Sequence, residues 1–111
     1  MLDNSSAPIV VLMSASNREE GSRIAELLID SGLAACVQIL SEVQSIYRWK
    51  GEIARDSEVL LLAKTTREVF ADLEARVREV HSYETPEILA LDVTAISEPY
   101  LKWLVNNLGD S

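Results

Sequence analysis

Three segments of this chain, Ile9–Met13, Val59–Ala63 and Ile88–Leu91, are apolar at every consecutive position. A β-strand sends successive side chains to opposite faces, so a strand with one buried face alternates apolar with polar residues. These three present hydrophobic side chains on both faces. A sheet built from them must be covered on both sides: by helices on one and, on the other, by the C-terminal segment or a second copy of the chain. Self-association is the expected arrangement.

The remaining pattern predicts the other elements. After Ile9–Met13, Ser16 and Asn17 offer N-caps, with Glu19 and Glu20 in the first turn, where the helix dipole favours negative charge. Ile24, Leu27, Leu28 and Ser31 form one helical face, and Gly32 sits where a left-handed C-cap is wanted. From Ala34 to Trp49 the period becomes two, with Val37, Ile39, Val43, Tyr47 and Trp49 on one parity: a long, bent strand. Lys50-Gly51 supplies a turn, and Ile53 through Thr65 returns as the second arm of a long hairpin. Thr65 or Thr66 then caps a helix, Glu68 closing a capping box if the cap is Thr65; Val69, Phe70, Leu73, Val77 and Val80 make its buried stripe. Pro86 breaks the chain before Ile88–Val93. Ser97 caps a last helix that tolerates Pro99 in its first turn and turns Leu101, Leu104, Val105 and Leu108 inward. The order βαββαβ plus a C-terminal helix predicts an α+β, ferredoxin-like sandwich: a four-stranded antiparallel sheet with helices on one face. All 111 residues form a single domain, with residues 1–7 a flexible head.

Charge narrows the partners. Eighteen acidic residues against ten basic give −8, with no basic run, which argues against nucleic acid and against an anionic membrane surface, and favours cations or neutral molecules. Apolar stretches such as Val59–Ala63 are far too short to span a bilayer. One cysteine cannot close an internal disulfide, and residues 1–6 do not read as a signal peptide, so a soluble cytoplasmic protein is expected.

At Leu33-Ala34-Ala35-Cys36-Val37-Gln38 the chain resembles the CutA divalent-cation-tolerance family, and the resemblance continues. Tyr47-Arg48-Trp49-Lys50-Gly51-Glu52-Ile53 is similar to the family's aromatic hairpin tip, and Lys64-Thr65-Thr66 to its strand-to-helix junction. His81-Ser82-Tyr83-Glu84-Thr85-Pro86-Glu87-Ile88 resembles its most characteristic segment, and Tyr100-Leu101-Lys102-Trp103-Leu104 its closing helix. Many members have Pro at the position of Ser82 and Asn at that of Gln38, and some have a second cysteine at that of Met13. The resemblance implies a ferredoxin-like fold in a tight homotrimer, which agrees with the two-sided strands, and a role in tolerance of copper and other divalent metals. Such a trimer would carry three times the chain's charge, −24, a field that concentrates cations.

The candidate residues keep two readings each. His81, the only histidine, precedes Tyr83, Glu84 and Glu87. It is either a ligand, with Glu84 and Cys36, for a divalent ion such as Cu2+ or Zn2+, or a cation neutralising a helix C-terminus. Cys36 is a ligand or a small buried hydrophobe. Tyr47, Trp49, Tyr83, Tyr100 and Trp103 are five of the six aromatics; they anchor an interface or line a small-molecule cleft, in which Lys64 binds an anion unless it makes a structural ion pair. No nucleophile-plus-base constellation and no glycine-rich phosphate loop appear, so neither an enzyme nor an organic cofactor is expected. Two functions fit: a homotrimer that binds divalent cations, or a trimeric signalling adaptor, similar in plan to PII-type proteins, that binds a small molecule between subunits.

Overall fold

The computed structural model describes residues 7–109. The expected flexible head falls, Ala7 apart, outside the described residues. The chain forms β1 (Pro8–Ala15), α1 (Arg18–Asp30), β2 (Cys36–Trp49), β3 (Glu52–Thr66), α2 (Phe70–Val80), β4 (Ile88–Asp92) and α3 (Glu98–Asn106). A single 3-10 turn at Arg67–Val69 leads into α2. The four strands pair antiparallel in the order β2-β3-β1-β4, the ferredoxin-like arrangement anticipated from the element order.

Local chemistry explains the boundaries. Asn17 caps α1, its side-chain oxygen accepting the Glu20 N–H at 2.8 Å. Gly32, just past the helix, has φ +72°, and Lys50 and Gly51 both have positive φ, as a two-residue hairpin turn matched to strand twist requires. Ser97 caps α3 through the Tyr100 N–H. The expected capping box on α2 does not form. The Thr65 hydroxyl instead donates to the Leu33 carbonyl at 2.8 Å, leaving Thr66 at the cap position with no side-chain bond to the helix.

Ile9, Val11 and Met13 of β1 and Val59, Leu61 and Ala63 of β3 meet Ile24 and Leu28 of α1 and Leu73 and Val77 of α2 in one core. Val80 lies outside this stripe, exposed at the helix end. The opposite face of the sheet is also apolar, because cross-strand partners share a face: Leu62 stands opposite Leu12, Leu12 opposite Leu89, Val10 opposite Leu91 and Leu60 opposite Leu40. The C-terminal helix does not cover it. α3 touches β3 and buries Leu104, but Val105 points outward and Leu40, Leu89 and Leu91 remain 46, 42 and 52% exposed.

Gly32 also permits a close approach. A Cβ built there would sit 2.2 Å from the Gly109 carbonyl oxygen, and the Gly109 N–H donates to the Gly32 carbonyl at 2.9 Å. Gly32→Ala adds a clash to an unfavourable left-handed backbone and is expected to cost about 2 kcal/mol. Thermal unfolding should show a Tm lower by roughly 8 °C; an unchanged Tm would mean that the Gly32–Gly109 contact contributes nothing.

Candidate functional site

The groove that gathers Tyr47, Trp49, Tyr83 and Glu84 starts from an irregularity in β2. Ser41 pairs with Val59 but Val43 pairs with Glu58, so Glu42 is an extra residue and the strand bulges there. The bulge re-phases everything beyond it. Val37 and Ile39 face the helices, whereas Val43, Ser45 and Tyr47 pair with Glu58, Asp56 and Ala54 and stand on the other face, with the leucines. The single parity expected from Val37 to Trp49 is thus broken at Glu42.

On that face, Ser45, Tyr47, Trp49, Asp56 and Glu58 of the hairpin meet Ser14 of β1 and Tyr83, Glu84, Thr85 and Glu87 of the α2–β4 loop around a groove of about 660 Å³. Four carboxylates and two phenols line it, and no lysine, arginine or histidine does. The Tyr83 hydroxyl donates to Glu58 Oε2 at 2.6 Å, and the Tyr47 hydroxyl donates to Asp56. Burial, together with the Glu58 carboxylate and the nearby charges of Glu20 and Asp56, pushes the Tyr83 phenol far above its ordinary value, so it stays protonated. Tyr47 is shifted the same way, chiefly by its bond to Asp56.

A buried clasp holds the loop. Glu20 is 2% exposed, yet its carboxylate accepts the Ser16 N–H at 2.9 Å, the Ser16 hydroxyl at 2.8 Å, the Ser82 N–H at 2.7 Å and the Ser82 hydroxyl at 3.0 Å. Burial pushes its pKa up, but the bonds from Ser16 and Ser82 outweigh that and hold it at about 2. His81 works beside it with a wholly buried side chain: Nε2 donates to the Ser14 carbonyl at 2.8 Å, and Nδ1 accepts the Tyr83 N–H at 3.0 Å. Those bonds assign the neutral tautomer protonated at Nε2. The ring lies 4.7 Å from that of Tyr83.

The expected ligand set of His81, Glu84 and Cys36 is not assembled in one protomer. Both nitrogens of His81 are committed to backbone groups, and Cys36 lies opposite Lys64, whereas His81 touches Ser14 opposite Leu60. Those positions are four residues, or about 13 Å, apart along the strands. Among the described residues no three His, Cys, Asp or Glu side chains are arranged to hold a metal ion. Of the expected cleft residues, Tyr47, Trp49 and Tyr83 do meet. Lys64 instead donates to Gln38, and Trp103 stacks on Tyr100 at 5.6 Å; neither lines the groove. Asp56 and Glu58 were missed from sequence, although two carboxylates spaced i, i+2 just before the apolar run of β3 were a usable signal.

Comparison with known proteins places this architecture. A model of the family described as the CutA1 divalent ion tolerance protein matches residues 9–107. The chain is 45% identical over 100 residues to the divalent-cation tolerance protein CutA of Thermus thermophilus, covering 90% of this chain and 97% of that one. It is 40% identical to the chloroplastic CutA protein of Arabidopsis thaliana over 89% of its own length, but spans only 54% of that relative. Among solved structures, that of the Thermus thermophilus protein superposes with a TM-score of 0.90 at 44% identity, covering 92% of this chain and 99% of the other. CutA1 of Oryza sativa gives 0.92 at 36% identity, with 98% and 100% covered.

Proposed function

Since the chain belongs to the CutA1 divalent ion tolerance family, we propose that it is a non-enzymatic homotrimer that binds divalent cations of the copper type, Cu2+ or Zn2+, at the groove between the hairpin and the α2–β4 loop. The observation that carries this reading is the lining itself: Asp56, Glu58, Glu84 and Glu87 around one space with no basic side chain. Carboxylates are suitable donors for a divalent ion, and the acidic chain draws cations towards them. Two carboxylate–phenol bonds orient the site, while Glu84 and Glu87 lie at its exposed rim.

The trimer completes the proposal. The groove shares a sheet face with Leu12, Leu40, Leu60, Leu62, Leu89 and Leu91, so a neighbouring copy that covers the leucines also borders the groove. A ligand from that copy would supply what one protomer lacks. A PII-like adaptor would need a neutral or cationic ligand here, because four carboxylates repel a nucleotide's phosphates.

Calorimetric titration with Cu2+ and with Zn2+ tests the site. Even in bulk water a dication about 5 Å from a carboxylate gains about 1–2 kcal/mol, so Glu58→Gln and Glu84→Gln are each expected to weaken binding about tenfold. Unchanged affinity in both variants would remove the groove from the reading.

A further inference from the structure

We propose that His81, which does not line the acidic groove, is a positioning residue for it: through Tyr83 it sets the Glu58 carboxylate where a cation meets it. This rests on the reading of the groove as the cation site, and gives the buried imidazole the task of keeping that site in shape.

The α2–β4 connection has neither helix nor strand between Val80 and Ile88, so side chains must fix its path. Two consecutive N–H groups are taken by buried side chains. That of Ser82 donates to Glu20 at 2.7 Å, which ties the loop to α1, and that of Tyr83 donates to His81 Nδ1 at 3.0 Å. His81 ties the loop to the sheet instead, because its Nε2 donates to the Ser14 carbonyl of β1 at 2.8 Å. Ser14 and Tyr83 both line the groove, so one imidazole bridges two parts of its wall.

The chain continues from Tyr83 to the carboxylate. The same imidazole fixes Tyr83 twice, by accepting its N–H and by lying 4.7 Å from its ring at a tilt of 49°. With backbone and ring held, the hydroxyl reaches Glu58 Oε2 at 2.6 Å and leaves Oε1 to a cation. Glu58 is 9% exposed, and a carboxylate so buried stays where a donor meets it. Deprived of the hydroxyl it turns towards water and gives up its place in the groove wall. Groups behind a metal ligand orient it in this way, and affinity falls when they are lost.

Histidine suits both ends of the bridge, since neutral imidazole is a donor at one nitrogen and an acceptor at the other. Two amides divide those tasks. Asn places an oxygen where Nδ1 stands and can accept the Tyr83 N–H; Gln places an NH2 where Nε2 stands and can donate to Ser14.

The experiment compares His81→Asn with His81→Gln in the full chain, by calorimetric titration with zinc chloride and by the 13Cδ resonance of Glu58, assigned through its loss in Glu58→Gln. Both variants give up the ring and one bond, so both lower Tm, and a purely structural role would make them alike in binding too. His81→Gln alone loses the acceptor for Tyr83. It should shift the Glu58 resonance and weaken zinc binding about fivefold, while His81→Asn stays within about twofold of wild type. Tyr83→Phe leaves both His81 bonds in place, should weaken zinc binding by about the same fivefold, and decides the matter if His81→Gln does not fold. Equal weakening by Asn and Gln, an unmoved Glu58 resonance in His81→Gln, or undiminished binding in Tyr83→Phe overturns the proposal. Unchanged zinc affinity in Glu58→Gln is a separate failure: it removes the groove as the cation site, and this role of His81 with it.

Discussion

Glu20→Ala should destabilise the protein by about 3–5 kcal/mol. The substitution leaves the Ser16 and Ser82 N–H groups inside the fold without an acceptor, and each orphaned donor costs about 1–3 kcal/mol. Two hydroxyl donors lose their acceptor as well. Against a total stability of about 5–15 kcal/mol this is a large fraction. The same clasp imposes a pH dependence. In the folded chain the Glu20 carboxyl is held at about 2, below its ordinary 4.5, so the folded state favours the ionised form. Its contribution is therefore complete above pH 4.5 and is lost as pH falls towards 2. Denaturant midpoints of wild type and Glu20→Gln, measured at equal protomer concentration, should differ widely at pH 6 and converge near pH 2. A gap that stays constant across that range would show that the ionised carboxylate is not what holds the loop.

The second large effect concerns assembly. On the proposed trimer, wild type should scatter as a particle of three times 12.3 kDa and Leu89→Glu/Leu91→Glu as one of 12.3 kDa. Both leucines are about half exposed on the protomer's second sheet face, so an isolated protomer accommodates the carboxylates with little loss. A neighbour resting on that face would bury six new charges per trimer with no partners, at several kcal/mol each. A folded variant that keeps the full mass would move the interface elsewhere and separate it from the groove.

The sequence pattern carried most of the architecture because it is written in local chemistry. The Asn17 cap, the positive φ at Gly32, the Lys50-Gly51 turn and the Ser97 cap each depend on residues within a few positions of one another. The two-sided apolar strands likewise place hydrophobic side chains on both faces of the sheet. What escaped depends on pairing across the chain. Glu20 read as a first-turn acid, but its partner Ser82 lies 62 residues away. His81 reads either as a ligand beside Glu84 or as a cation at the helix end, whereas its ring nitrogens are occupied by Ser14, 67 residues back, and by the Tyr83 backbone. The bulge at Glu42 was invisible to a parity count, since an extra residue leaves the alternation of types intact while exchanging the faces they occupy. Hence Tyr47, which reads from sequence as an interface anchor or a cleft residue, lines the acidic groove, where its bond to Asp56 depends on the register beyond the bulge.

The sheet order also sets the timing of folding. β2 and β3 are neighbours in sequence, joined by a two-residue turn, and such a hairpin closes in about 1–10 μs. β1 must then wait for partners made much later along the chain, Thr66 opposite Pro8 and Asp92 opposite Ile9. Closing those long loops is the slow part of building such a topology. Until β4 arrives, one edge of β1 stands unpaired beside a face of leucines, so the rate at which the last strand docks governs how long a newly made chain remains open to aggregation.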